Sequence, residues 1–324
     1  MEIGDWKSDP QLVAHYREIQ KLGLEKNLAE LDAFGFTILE PGVAAPVDWV
    51  MRLRDKVLEV AERRTGVKHA LETGEHGYLE QTPGFKHQYL LYYLLLEDPI
   101  FQQAICNPHL LALQTYMLGF ECMISSVTSI IKWKEPRGYG RSLGLHADTP
   151  VHHPLPVGKN THTGNSAWLL TDYTLDNGAL AFVPGSHRRA RQPAPGEGVD
   201  ETIPIEAPAG SLVVWNGNMW HGAFPRQNEG LRLVLTCYFN RPYLRTQEDY
   251  RRNVTQEILD QHPDRLAVLL GLADVNGWDD IGGPDYVQAN AVLNAASREA
   301  GVAASSQDIV RRSTGKKQIQ GVRT

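Results

Sequence analysis

The chain has 324 residues, of which 42% are hydrophobic and 22% are charged, and its net charge is −6 when the histidines are neutral. This composition excludes a largely disordered chain, because so many apolar side chains are enough to build a core. The acidic excess argues against nucleic-acid binding, because proteins that bind nucleic acids present a broad basic surface.

The cysteines and the apolar runs indicate the cellular compartment. The cysteines, at Cys106, Cys122 and Cys237, are widely spaced, which argues against a disulfide framework and against a zinc site built from cysteines. The N-terminal residues lack the apolar segment of a secretory signal. No apolar run approaches the ~20 residues of a membrane-spanning helix. We therefore expect a cytoplasmic protein in a reducing environment, with no membrane partner.

Residues 1–120 are predicted to form a mainly helical region that packs on a β core. A short strand is expected within FGFTILEPG. An amphipathic helix is expected over residues 47–64, where apolar residues recur at three- and four-residue spacing. Residues 70–87 are predicted to form a loop. Two further helices are expected over residues 89–106 and 108–118, with helix-capping Asp–Pro and Asn–Pro pairs at positions 98–99 and 107–108.

The pattern changes to short β-rich runs over residues 121–245. These runs are separated by turns of Gly, Pro and Asn, with no helical pattern between them, which is typical of a jelly-roll barrel or sandwich. Residues 246–324 are predicted to form a helical extension. The expected fold is therefore mainly β with flanking helices, around a double-stranded β-helix core of the jelly-roll, cupin-like kind.

Three residues are predicted to bind one metal ion. His146 and Asp148 are two positions apart on an extended segment, so both side chains point to the same face. His221 follows 75 positions later, at the end of another predicted strand. Two histidines and one carboxylate with open coordination positions are the ligand set of non-haem Fe(II) oxygenases. A His-x-Asp pair alone is a weak signal, so the prediction depends on all three residues together.

Arg232 is the candidate for binding an anion. It stands eleven positions after His221, in the apolar run LRLVLTCYFN. A buried arginine needs an anionic partner, and its planar guanidinium suits a carboxylate. The alternative is an ion pair between strands.

These motifs resemble the phytanoyl-CoA dioxygenase family. The similarity covers about residues 28–245 and includes LDAFGFTILE, HAD, AWLLTDYTLDNGALAFVPGSH, WHG and Arg232. It implies a double-stranded β-helix with His146, Asp148 and His221 as Fe(II) ligands, and with 2-oxoglutarate and O₂ as cosubstrates. Arg232 would bind the distal carboxylate of 2-oxoglutarate. The other positions carried over from the family to the cosubstrate pocket are Trp168, Ile130 and Thr128, with Gln88 on a preceding helix.

The resemblance predicts an oxygenase that hydroxylates a small organic molecule, with succinate and CO₂ as coproducts. Desaturation or cyclisation would use the same residues, whereas halogenation is disfavoured because Asp148 is present. The alternatives are a cupin-like metal enzyme independent of 2-oxoglutarate and a barrel that binds without catalysis. Substrate choice is expected to depend on residues 70–88, the loop after Asp148 and the helical extension. That extension is also a candidate interface for a homodimer.

Overall fold

The computed structural model describes residues 10–77, 87–135, 143–149, 160–260 and 265–272. The strands are β1 (Phe36–Leu39), β2 (Gln88–Leu91), β3 (Met123–Lys132), β4 (Thr163–Leu169), β5 (Leu180–Phe182), β6 (Ile203–Ile205), β7 (Leu212–Asn216), β8 (His221–Ala223) and β9 (Arg232–Asn240). The helices are α1 (Pro10–Leu22), α2 (Glu25–Phe34), α3 (Val47–Thr65), α4 (Pro99–Ile105), α5 (Pro108–Leu118), α6 (Tyr250–Asn253), α7 (Gln256–Asp260) and α8 (Arg265–Leu269). Part of the predicted loop over 70–87, part of the loop after Asp148 and the extension beyond residue 272 lie outside the described residues.

Two antiparallel sheets form the core. The larger has the strand order β1-β7-β4-β9-β3-β2, and the smaller has the order β6-β5-β8. A cluster of buried apolar side chains from both sheets lies between them, including Phe182, Ile205, Val213 and Val234. This arrangement is the predicted jelly-roll. The inner face of the larger sheet lies toward the smaller sheet, and its outer face lies on the opposite side.

The outer face of the larger sheet packs against the helices. Because side chains alternate along a strand, Leu233 and Leu235 of β9 join the helical core, whereas Val234 points into the barrel. Helix α3 confirms the predicted amphipathic stripe. Its buried residues are Val50, Leu53, Val57, Val60 and Ala61. The predicted caps are also confirmed, since Asp98 accepts from the Ile100 N–H and Asn107 accepts from two N–H groups of α5.

The predicted helix over residues 89–106 is wrong in its first half. Residues Gln88–Leu91 form β2, which pairs with β3, and only Pro99–Ile105 are α-helical. Short apolar runs fit a buried strand as well as a helix, and pairing with β3 decides between them. Tyr93 then adopts a positive φ of 58° and ends the extended segment. Because β1 and β2 both join the larger sheet, the region before residue 120 supplies part of the barrel as well as helices.

The segment after β9 is anchored to the barrel by Glu248. Its buried carboxylate accepts hydrogen bonds from the Tyr93 N–H at 2.7 Å and the Val127 N–H at 3.2 Å, and from the Tyr250 hydroxyl. Burial raises the pKa of Glu248 above its ordinary value. Among the described residues, no helix is both long and apolar enough to cross a membrane.

Candidate metal centre

His146 and His221 are brought together by direct backbone pairing. The His146 N–H donates to the His221 carbonyl at 2.9 Å, and the His221 N–H donates to the His146 carbonyl at 2.8 Å. Residues paired in this way place their side chains on the same side. The two imidazole rings therefore lie with their centroids 4.4 Å apart.

Asp148 completes the cluster. Its Oδ1 lies 3.7 Å from His146 Nε2, and its Oδ2 lies 3.5 Å from His221 Nε2. One ligand atom from each residue falls within 4.8 Å of the others. The structure thus brings together the three predicted ligands, and we propose that they hold one metal ion.

Hydrogen bonds outside the cluster orient the ligand atoms. The Nδ1 atoms of His146 and His221 face the backbone carbonyls of Gly144 at 2.7 Å and Met219 at 3.1 Å. An Nδ1–H donated to a carbonyl leaves the Nε2 lone pair directed at a metal, as in most histidine metal sites. Burial lowers the pKa of His221, which favours the neutral ligand form.

The Asp148 carboxylate is held from the barrel side. Asn165 Nδ2 and Trp215 Nε1 both donate to Oδ2, at 3.0 Å and 3.3 Å. Oδ1 is thereby left for a metal. The side chains of His146, Asp148 and His221 are 54%, 15% and 8% exposed. Asp148 and His221 are therefore held inside the barrel, whereas His146 is accessible from the solvent. A site with open coordination positions requires such access.

The backbone between His146 and Asp148 is clamped by Gln192. The Gln192 side-chain oxygen accepts from the Ala147 N–H at 2.9 Å, and its amide nitrogen donates to the Ala147 carbonyl at 2.7 Å. The Tyr238 hydroxyl donates to the Asp148 carbonyl at 2.9 Å. Because β8, β9 and the loop that carries Gln192 all hold this short segment, the ligand geometry does not depend on the segment's own conformational preference.

A cavity of about 440 Å³ opens onto Asp148. Its lining combines polar groups with aromatic and aliphatic surface and consists, among the described residues, of Leu90, Tyr92, Tyr93, Ser126, Thr128, Asp148, Asn165, Thr236, Tyr238, Gln247 and Glu248. Thr128, one of the predicted cosubstrate residues, therefore does line a pocket that reaches the metal cluster.

Arg232 begins β9 and belongs to the inner face, like Val234 two positions later. It is 2% exposed, its Nη1 donates to the Gly178 carbonyl at 2.8 Å, and its guanidinium lies 4.9 Å from the centre of the Tyr173 ring. Its Nε has no hydrogen-bond partner among the described residues. The structure thus shows a buried cation on the barrel side with a donor still available.

The remaining predicted cosubstrate residues have different positions. Ile130 is on the inner face and packs against the inner apolar cluster. Gln88 is in register with Lys132 and thus reaches the inner face, but it lies on a strand and not on a helix. The position of Trp168 does not fit its predicted role in the cosubstrate pocket. It is fully buried in the helical core, with its ring 5.4 Å from that of Trp49, on the opposite face of the sheet from Asn165.

The sequence analysis missed the residues that orient the ligands. Asn165 and Tyr238 were visible only as polar positions in apolar strands, and Trp215 as a core aromatic residue. Gln192 lies in a loop 45 residues away from Ala147, and no spacing rule links the two. Alternation along β4 and β9 would have placed Asn165 and Tyr238 on one face, but their partner remained unknown without the fold.

Comparison with known proteins shows the family. The family model for phytanoyl-CoA dioxygenase (PhyH) matches residues 31–234, and the chain belongs to this family. It is 28% identical over 188 residues to the dioxygenase af480 of Aspergillus fumigatus, a match that covers 57% of this chain and 59% of that protein. The chain thus spans less than two thirds of the length of that curated relative.

Solved structures confirm the double-stranded β-helix fold. One is HygX from Streptomyces hygroscopicus with nickel and 2-oxoglutarate bound, at 17% identity and a TM-score of 0.52, covering 68% of this chain and 89% of HygX. Another is the α-ketoglutarate-dependent carbocyclase SnoK from nogalamycin biosynthesis, at 16% identity and a TM-score of 0.51, covering 71% of this chain and 90% of SnoK.

Proposed function

We propose that this protein is an Fe(II)- and 2-oxoglutarate-dependent oxygenase that hydroxylates a small organic molecule. The observation that carries the proposal is the convergence of His146, Asp148 and His221 at the mouth of a barrel that also buries Arg232. Membership of the phytanoyl-CoA dioxygenase family and the cosubstrate bound in HygX support it.

The donor set fits ferrous iron. Two neutral imidazoles and one carboxylate suit Fe(II), and three protein ligands leave room for cosubstrate and O₂. When bound, iron with 2-oxoglutarate and O₂ supplies the oxidising power to break an unactivated C–H bond, with succinate and CO₂ as coproducts. The protein's own task is to hold iron, the cosubstrates and the substrate in the positions that the reaction needs.

Each residue has a defined task in this proposal. Asn165 and Trp215 fix the Asp148 carboxylate, and the Gly144 and Met219 carbonyls fix the imidazole tautomers. Arg232, with an Nε that lacks a partner among the described residues, binds the distal carboxylate of 2-oxoglutarate. A charge-assisted contact of this kind contributes about 1.5–3 kcal/mol.

The pocket at Asp148 accommodates the substrate. Its volume of about 440 Å³ suits a small molecule, and hydroxyl and amide groups such as those of Ser126 and Gln247 line it. These groups favour a substrate with hydrogen-bonding substituents. Placement of the target carbon beside the metal decides between hydroxylation, desaturation and ring closure. The carbocyclase SnoK shows that this fold carries ring closure as well.

The decisive experiment measures 2-oxoglutarate consumption and succinate release by the iron-loaded protein under air, with a library of small metabolites. The wild type is expected to turn over 2-oxoglutarate slowly alone and faster with its substrate. Asp148→Ala is expected to lose both activities, whereas Asp55→Ala, the same change at an exposed site on α3, is expected to keep them.

Two results would contradict the proposal. Substrate oxidation at an unchanged rate without 2-oxoglutarate would identify a cupin-like enzyme that does not need this cosubstrate. A wild-type protein that binds neither metal nor 2-oxoglutarate after anaerobic reconstitution would identify a barrel without catalysis.

A further inference from the structure

Lys132 is a second buried cation on the barrel side, directly beside Arg232. It ends β3, and the register pairs it with Arg232 at the start of β9. The two residues are 0% and 2% exposed. Paired residues share a face, so Lys132 points into the barrel with Arg232. Gln88 of β2 is in register with Lys132 and brings an amide to the same level.

Among the described residues, positive charge exceeds negative charge around this pair. Lys132 Nζ lies 3.2 Å from a carboxylate oxygen of Glu135 and donates to the Phe224 carbonyl at 3.1 Å. Arg226 is also buried, and it donates hydrogen bonds to the backbone and side-chain oxygens of Asn177 and to the backbone carbonyls of Glu229 and Gly230.

In the part of the chain that the structure describes, the other titratable groups nearby add no buried negative charge. Glu229 is exposed and pairs with the half-exposed Lys134 at 2.6 Å, and its charge partly counteracts the lowering of the Arg226 pKa by burial. Tyr173, against Arg232, has a pKa raised by burial and stays neutral. His87 directly precedes Gln88, the first residue of β2, and its backbone carbonyl accepts a hydrogen bond from the Trp133 N–H. Among the described residues, three buried cations therefore face one buried carboxylate.

We propose that Lys132 acts with Arg232 in binding the distal carboxylate of the cosubstrate, and that this binding is linked to protonation of Lys132. The inference rests on the proposed function, because it presupposes a dicarboxylate cosubstrate in the barrel. It adds a second cation to Arg232 and predicts a pH dependence that one arginine cannot produce, since arginine stays charged at all accessible pH values.

The electrostatics of the pair support the linkage. Burial is the main cause that lowers the pKa of Lys132 to about 8, and the charge of Arg232 is the second. The Glu135 carboxylate acts in the opposite direction. An anion placed beside Lys132 stabilises the ammonium form and raises this pKa again. Above about pH 8 the free protein has lost the proton, so binding must take one up, and affinity falls as pH rises.

The test measures binding of 2-oxoglutarate to the full chain loaded with Ni(II), which avoids turnover. Calorimetry in two buffers of different ionisation enthalpy gives both Kd and the number of protons taken up. Between about pH 7 and about pH 9, a pKa near 8 in the free protein predicts a rise in Kd of about tenfold. Proton uptake should approach one at the higher pH.

Matched ligands and variants isolate the cause. 2-Oxovalerate keeps the keto-acid end and lacks the distal carboxylate, so its binding should show no such pH dependence. Lys132→Met should raise Kd at neutral pH by about tenfold or more and abolish the proton uptake. Lys132→Arg should keep the charge, restore part of the affinity and show a flat pH profile. Lys134→Met removes an exposed lysine on the same segment and should behave like the wild type.

The outcomes separate this inference from the proposed function. Absence of 2-oxoglutarate binding by the wild type would refute both. Normal binding by the wild type with a flat pH profile and no proton uptake would overturn the role of Lys132 alone, even if neither variant folds. The same conclusion follows if Lys132→Met binds 2-oxoglutarate with wild-type affinity and wild-type proton uptake.

Discussion

Replacing Gly222 by alanine is expected to weaken metal binding by opening the backbone bridge between the two histidine ligands. Gly222 follows His221 in β8 and lies against the segment that leads to His146. The Leu143 carbonyl accepts a hydrogen bond from the Ala223 N–H at 3.1 Å, which closes this contact. A Cβ on residue 222 would lie 2.2 Å from that carbonyl oxygen.

The size of the effect follows from these distances. Cβ atoms essentially never come closer than 3.0 Å to another heavy atom, so the two backbones must separate by at least the difference, 0.8 Å. Metal–ligand distances tolerate only about 0.2 Å. His146 would therefore move out of coordination range or bind with strain. We expect metal affinity to fall by about 10- to 100-fold, as for other changes that disturb ligand orientation.

The assay is anaerobic titration with Fe(II) against a chromophoric chelator, combined with thermal unfolding. Gly42→Ala is the control, because Gly42 has a φ of +86° and open space around it. It should cost about 1 kcal/mol of stability and leave metal affinity unchanged. Metal affinity of Gly222→Ala within twofold of the wild type would refute the reasoning, since the bridge would then tolerate the added carbon.

Three further predictions concern the cosubstrate, the ligand segment and the sheet. Arg232→Leu should raise KM for 2-oxoglutarate by about 10- to 100-fold and leave KM for the substrate unchanged; equal changes in both constants would place Arg232 elsewhere. Gln192→Leu removes both hydrogen bonds to Ala147 and should lower metal affinity by about tenfold, which metal titration would show; full affinity would mean that the other contacts suffice. Trp168→Phe should lower the free energy of unfolding in urea by about 1–3 kcal/mol and leave KM for 2-oxoglutarate unchanged; a raised KM would show that Trp168 contributes to the cosubstrate pocket.

The sequence determined the parts of this protein that depend on local spacing. His146 and Asp148 share a face because extended chains alternate with a period of two. The stripe of α3 and the caps of α4 and α5 follow from the helical period and from the hydrogen bonds that helix ends need. The approximate order of β-rich runs also predicted the jelly-roll, because strands without intervening helices pair antiparallel.

Only the tertiary structure decided which face each strand buries and what lies opposite. Both faces of β4 are buried, so alternation offers no contrast between polar and apolar sides, and nothing in the sequence tested the cosubstrate role that the family resemblance implied for Trp168. Residues 88–91 became a strand because β3 offered backbone partners, which a short apolar run does not reveal. Gln192 and Lys132 acquire their roles from partners 45 and 100 residues away. Such contacts arise from sheet register and chain closure, which no local pattern specifies.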